Sequence, residues 1–311
     1  MDDSAMPRVP QELLDASFYL YPSAEAAKAG GQAGGTGFFV SVPHPTIEGT
    51  IFVYAVSNSH VVHADGCSVI RVNTILGGTD VIELDPAQWH AKHGNDLAVC
   101  LVQLNPAVHK CKCVDESWFV TKDGATSGVL GVGDDVFMVG RFMNHDGHLT
   151  NVPSARFGHL SMLPLDIHHP AGYRQESFAV EMLSRPGYSG SPVYLFRVPY
   201  DLATGNLSVG GRTMWLLGVN WGFITDTAEV KEEGLPIVPA GLVEDEKQKS
   251  VRYVKVNTGM NGVVPAWRLR KLLSTGRVKL ERDAIIARDA AHRVPPSGLA
   301  ETASAVPANK R

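Results

Sequence analysis

Cysteine is scarce in this 311-residue chain: four residues, no C-x-x-C pair, and so no evident disulfide framework or zinc knuckle. Cys111 and Cys113 are one residue apart, too close for an easy bridge, and Cys67, Cys100, Cys111 and Cys113 are all expected to be reduced thiols. Long apolar runs are missing too. Nothing approaches the ~18 to 20 residues of a membrane span, and the opening MDDSAM carries acids where a secretory leader needs a basic region. A cytoplasmic chain without a membrane partner is the expectation. Basic charge is short as well: 28 Lys and Arg against 32 Asp and Glu give a net charge of −4, which offers no footprint for nucleic acid. The glycines of GVLGVGDD lack the lysine and following helix of a phosphate-binding loop. His90/His93 and His145/His148 have metal-like spacing, but no acid or cysteine stands in register with them, and they read as loop residues. No metal and no organic cofactor is expected.

What the chain does have is short β-branched and aromatic runs punctuated by Gly, Pro, Asn and Asp. GGTGFFVSVP, TIFVYAVSNSHVV and NDLAVCLVQL form one series. After a polar break near residues 115–127 come DVFMVGRF, RFGHLSML, ESFAVEML, SPVYLFRV, TMWLLGVNWGFI and RYVKVNTG. The pattern predicts an all-β fold of two halves. Its expected parts are an N-terminal arm (1–32), a first barrel (33–120), a second barrel with a short C-terminal helix around VPAWRLRKLLSTG (121–275), and a disordered tail (276–311). The charged stretch 228–250 reads as an exposed loop or flap.

The stretch SRPGYSGSPVY surrounds Ser189 with Gly187, Gly190 and Pro192. Such glycines let the backbone take positive φ and let a substrate carbonyl approach backbone N–H groups closely. A neutral serine hydroxyl is a weak nucleophile and needs a base oriented by a third group. His60 ends the apolar run IFVYAVSNSH, as a base presented at a strand end would, with His63 as the competing assignment. Asp96 immediately precedes an apolar strand, a position that would desolvate its carboxylate. The amides of Gly187 and Ser189 are the candidate oxyanion hole. The order His, Asp, Ser and the serine at position 191 both differ from the nucleophile elbow of α/β-hydrolases.

At these residues the sequence resembles the trypsin-like serine peptidases of the chymotrypsin clan. GTGFFV, SNSHVV, NDLAV and GYSGSP carry the resemblance in order, and LGVGDDVFMVGRF and NTGMNGVVPAWRLRKLL look closer to bacterial or phage Deg-type members. The resemblance covers roughly residues 33–275. It implies a chymotrypsin-like double β-barrel of two six-stranded units, with His60 and Asp96 from the first, Ser189 from the second, and a protein or peptide as substrate. Tyr188 stands where proteolytically activated members carry an aspartate, which implies a preformed site or another trigger. GVNWGFI resembles the substrate-binding strand, so Asn220, Trp221 and Gly222 would line the specificity pocket. Trp221 would form a pocket wall and Leu183 the floor; neither Leu183 nor Val219, the residue before Asn220 on that strand, is charged, favouring an apolar side chain before the scissile bond. Two competing readings use the same residues: a latent or inactive module gated by a protein partner through residues 1–30 or 228–250, and an esterase.

Overall fold

The computed structural model describes residues 9–31, 34–127, 130–145, 147–197, 212–230 and 253–293. Eight strands build the first half: β1 (Ser17–Tyr21), β2 (Thr36–Pro43), β3 (Ile51–Ser57), β4 (Val69–Asn73), β5 (Thr79–Ile82), β6 (His90–Lys92), β7 (Asn95–Val102) and β8 (Val114–Asp115). They form one sheet in the order β5-β4-β1-β2-β3-β7-β6, with β8 pairing in parallel to β2. Six antiparallel strands, β9 (Asp135–Gly140), β10 (Ser154–His168), β11 (Arg174–Glu181), β12 (Pro192–Phe196), β13 (Met214–Glu229) and β14 (Tyr253–Pro265), close into the second barrel. The fold is all-β, with two barrel-like halves.

Helices are few: α1 (Gln11–Asp15), α2 (Ala24–Ala29), α3 (Lys122–Thr126), α4 (Ala266–Leu273) and α5 (Gly276–Arg293). No helix among the described residues is long and apolar enough to cross a membrane. The core explains the runs in the sequence. Phe18, Phe39, Ile70 and Cys100 fill the first half, and Met138, Leu160, Phe178 and Val263 fill the second. A third cluster, including Phe38, Tyr54, Phe137, Tyr194 and Trp221, joins the two.

Two expectations about the ends are corrected. The segment expected as an arm is part of the sheet: β1 lies between β2 and β4, with Tyr19 opposite both Thr36 and Arg71. All five of its residues are buried, so SFYLY has neighbours on both edges and both faces. Among the described residues the first half has eight strands rather than the six expected, the short β6 and β8 included. The expected tail is a helix from Gly276 to Arg293; residues 294–311 lie outside the described residues, as does most of the charged stretch 228–250. Helix α5 buries Val278 and packs Ile285 and Ile286 against the joining core, while Glu281 meets His90 at 2.9 Å. Burying three aliphatic side chains to this extent is worth about 3 kcal/mol. A chain ending at Thr275 should lose that stability, which its urea midpoint would register.

Candidate active site

His60 starts a wide helical turn, His60–Ala64, just past the end of β3. The register pairs Ser57 with Ala98, so the chain leaving β3 runs beside Asp96 at the start of β7. The His60 main-chain N–H donates to Asp96 Oδ1 at 2.9 Å, and His60 Nδ1 lies 2.6 Å from Asp96 Oδ2. Asn58 Nδ2 donates to the Asp96 carbonyl oxygen at 2.7 Å, which fixes the backbone of the acid as well. Asp96 is 1% exposed and His60 29%, so the acid is sealed while the imidazole keeps an open edge.

Burial alone would raise the Asp96 carboxyl. Hydrogen bonds from His169 and His60, with the charge of His60 and its backbone N–H, outweigh it and hold the group far below the ordinary carboxylate range. For His60 burial pulls downward, but the Asp96 hydrogen bond and charge, and the charge of Asp65, win and raise it. His63 is exposed, and its pKa is lowered by the burial it does have.

Ser189 lies in the loop between β11 and β12. Gly187 (φ +103°) and Gly190 (φ +84°) flank it in backbone conformations that side chains rarely adopt. Space is closed as well: a Cβ on Gly187 would stand 2.8 Å from the Arg141 carbonyl oxygen, and one on Gly190 would strike the Thr36 carbonyl oxygen and the Ser57 hydroxyl. Three consecutive loop carbonyls are taken. Thr36 Oγ1 donates to Gly187 O at 2.8 Å, Asn220 Nδ2 to Tyr188 O at 2.8 Å, and Thr36 N to Ser189 O at 2.8 Å. Turning the carbonyls into these partners leaves the N–H groups of Gly187 and Ser189 without acceptors among the described residues. Ser189 Oγ makes no hydrogen bond to His60.

Tyr188, ahead of the serine, is fully buried; its hydroxyl meets Ser154 Oγ and accepts from Arg156 Nε at 3.2 Å. Asn220 is buried, and its main-chain oxygen accepts from Gly190 N at 2.9 Å, so β13 runs alongside the serine loop. Trp221 sits at an irregularity where the β13–β14 pairing steps from Asn220 to Gly222; its Nε1 donates to Ser177 Oγ at 3.1 Å. Gly222 has φ +152° and is partly exposed. The two residues read as pocket floor and pocket side differ in exposure. Met182 points into the barrel core, so its neighbour Leu183 faces outward and is 58% exposed, and Val219 is fully buried in the joining core. Of the two, only Leu183 is open to a ligand; Val219 is closed to one.

Three residues at the site were not singled out from the sequence. Thr36, inside GTGFFV, ties the serine loop to the first half. His169 and Gln175, from the β10–β11 hairpin, both reach Asp96: His169 Nε2 is 3.3 Å from Oδ2, and Asp96 N donates to Gln175 Oε1 at 2.5 Å. His60, Asp96 and His169 bring their ligating atoms close enough to suggest a metal. The 2.6 Å between His60 Nδ1 and Asp96 Oδ2 is a hydrogen bond, shorter than the roughly 3.3 Å that separates two ligands of a tetrahedral ion bound at ~2.0 to 2.1 Å. The other histidine pairs are split up: His90 is on Glu281, His93 on the Tyr173 ring and His145 on Phe142.

No protein-family model matches the chain, and no curated protein does. Among solved structures it is similar to the active form of the Rv3671c protease from M. tuberculosis, at 15% identity and a TM-score of 0.45, over 87% of this chain and 92% of that one. It is also similar to the apo MamO protease domain from Magnetospirillum magneticum, at 14% identity and 0.43, over 84% and 96%. The HtrA-type protease AlgW with a decapeptide aligns at 14% identity and 0.43, over 86% of this chain and 67% of that chain. The chemistry of the site rests on its own side chains.

Proposed function

We propose that the chain is a serine endopeptidase in which Ser189 is the nucleophile, His60 the general base and Asp96 the group that orients it. The observation that carries this reading is the pairing of a sealed Asp96 on His60 Nδ1 with a glycine-shaped serine loop whose Gly187 and Ser189 amides have no acceptor among the described residues. With Nδ1–H committed to the carboxylate, Nε2 carries the lone pair. Ser189 Oγ attacks a peptide carbonyl as its proton passes to His60 Nε2, and the oxyanion accepts from the two amides. The imidazolium returns the proton to the leaving amine, and water, deprotonated by the same imidazole, releases the acyl group.

The raised His60 sets the pH dependence, because the ring must be neutral to accept the serine proton. A fluorophosphonate probe should label Ser189, as mapped by mass spectrometry. The labelling rate should climb with pH through a midpoint above the ordinary histidine value of about 6.5. A folded chain that takes no label, or takes it elsewhere, would refute the assignment. One observation favours a second reading, a latent module of the same fold awaiting a partner: Ser189 Oγ does not reach His60 by a hydrogen bond. Catalytic hydrogen bonds often tighten only with substrate in place, and labelling without any partner decides between the two.

A further inference from the structure

Asp96 is held from both halves of the molecule. Its own half supplies His60 and Asn58; the other half supplies His169 and Gln175. The second imidazole is well fixed. The Ala171 N–H donates to His169 Nδ1 at 3.2 Å, which assigns the ring proton to Nε2 and aims it at Asp96 Oδ2. The buried ring stacks on Tyr173 with centroids 4.7 Å apart and packs against Trp221 at 4.9 Å, so it has no room to swing away. Asp96 Oδ2 therefore accepts from two imidazoles at once, His60 at 2.6 Å and His169 at 3.3 Å.

We infer that His169 is a positioning residue: from the second barrel it holds the Asp96 carboxylate in register with His60, adding a restraint that the first half does not supply. The inference rests on the reading of His60 as the base. Its chemistry is that of a shared acceptor. A second donor on Oδ2 restrains the carboxylate and draws off part of the charge that His60 would otherwise feel. Removing that donor should loosen the His60 geometry and raise the His60 pKa. The other titratable groups around the pair are Asp65, which faces His60, and Tyr173, which packs on His169 with His93 beyond it. All three stay in place in the variants below.

The test uses the full chain as wild type, His169→Phe and His169→Gln. Phenylalanine keeps the stacking and loses the donor; the glutamine amide puts an N–H close to where Nε2–H stood. The readouts are kcat and KM on a peptide substrate, and the His60 titration midpoint by NMR of 15N-histidine protein, assigned with a His60→Gln sample. His169→Phe should lower kcat about 10- to 100-fold with KM unchanged, and move the His60 midpoint up by about half a unit. His169→Gln should recover kcat to within about threefold of wild type and restore the midpoint. If His169→Phe does not fold, His169→Asn replaces it, since its shorter amide can still accept from Ala171 but falls short of Asp96. An unmoved midpoint in the donor-free variant, or equal losses in the Phe and Gln variants, would overturn the inference. Wild-type protein that cleaves no peptide would sink the peptidase reading instead, and the His60 midpoint would still decide the role of His169.

Discussion

Ser189→Ala should lower peptide hydrolysis by about 10⁶-fold, and adding His60→Ala should lower it no further. The reason lies in how the two side chains share one proton. Without the hydroxyl, the imidazole has nothing to deprotonate but water; without the imidazole, the hydroxyl is a neutral alcohol and a weak nucleophile. Each substitution removes the whole nucleophilic route, and what survives in either is the work of the amides at Gly187 and Ser189. The serine replacement is mild structurally, whereas His60→Ala takes a partner from the sealed Asp96 carboxylate, so folding of both histidine variants is verified before rates are compared. His60 is partly exposed, and Ser189 Oγ holds no other group in place. Initial rates on a peptide substrate for both single variants and the double variant check this. Losses that multiply would mean the two residues act in separate steps, and the triad assignment would fail.

How much of this site could be read from the chain order depends on which contacts are local. His60 and Asp96 follow from the ends of two apolar strands, because β3 and β7 are neighbours and their register brings the strand ends together. Gly187 and Gly190 follow from turn chemistry. His169 does not: its contact with Asp96 spans 73 residues and is made by a hairpin of the other half, where HHPAGY reads as an ordinary turn. Counting back from the serine to Leu183 cannot show that Met182 takes the core position beside it. At the ends, SFYLY is too short to announce itself as a central strand without β2 and β4 beside it. Helix α5 escapes notice because its apolar face is thin. It relies on Val278, on the i,i+4 ion pairs Arg277–Glu281 and Lys279–Asp283, and on docking against the first half.

Asp96→Asn should cost about 10⁴ in kcat and destabilise the fold by about 1 to 3 kcal/mol, because no orientation of an amide satisfies the donors around it. Oδ1 faces the His60 main-chain N–H; Oδ2 faces two imidazole nitrogens. With the amide oxygen toward the main chain, the NH₂ confronts His60 Nδ1 and His169 Nε2. His60 can respond by moving its proton to Nε2, which blinds it as a base toward Ser189. His169 has no such escape, since the Ala171 N–H already occupies Nδ1. With the amide turned over, the NH₂ meets the His60 main-chain N–H instead. Acid titration gives a second readout. The depressed Asp96 contributes stability that is complete above its unfolded value near ~3.9 and is lost as pH falls through the folded one. The raised His60 contributes stability present below ~6.5 and lost as pH rises through its folded value. Both contributions depend on the same ion pair, so in Asp96→Asn the acid loss and the alkaline loss should flatten together. Urea midpoints from acid to mild alkali, wild type against variant, measure this directly; an unchanged profile would mean that Asp96 is not ionised against His60 in the folded protein.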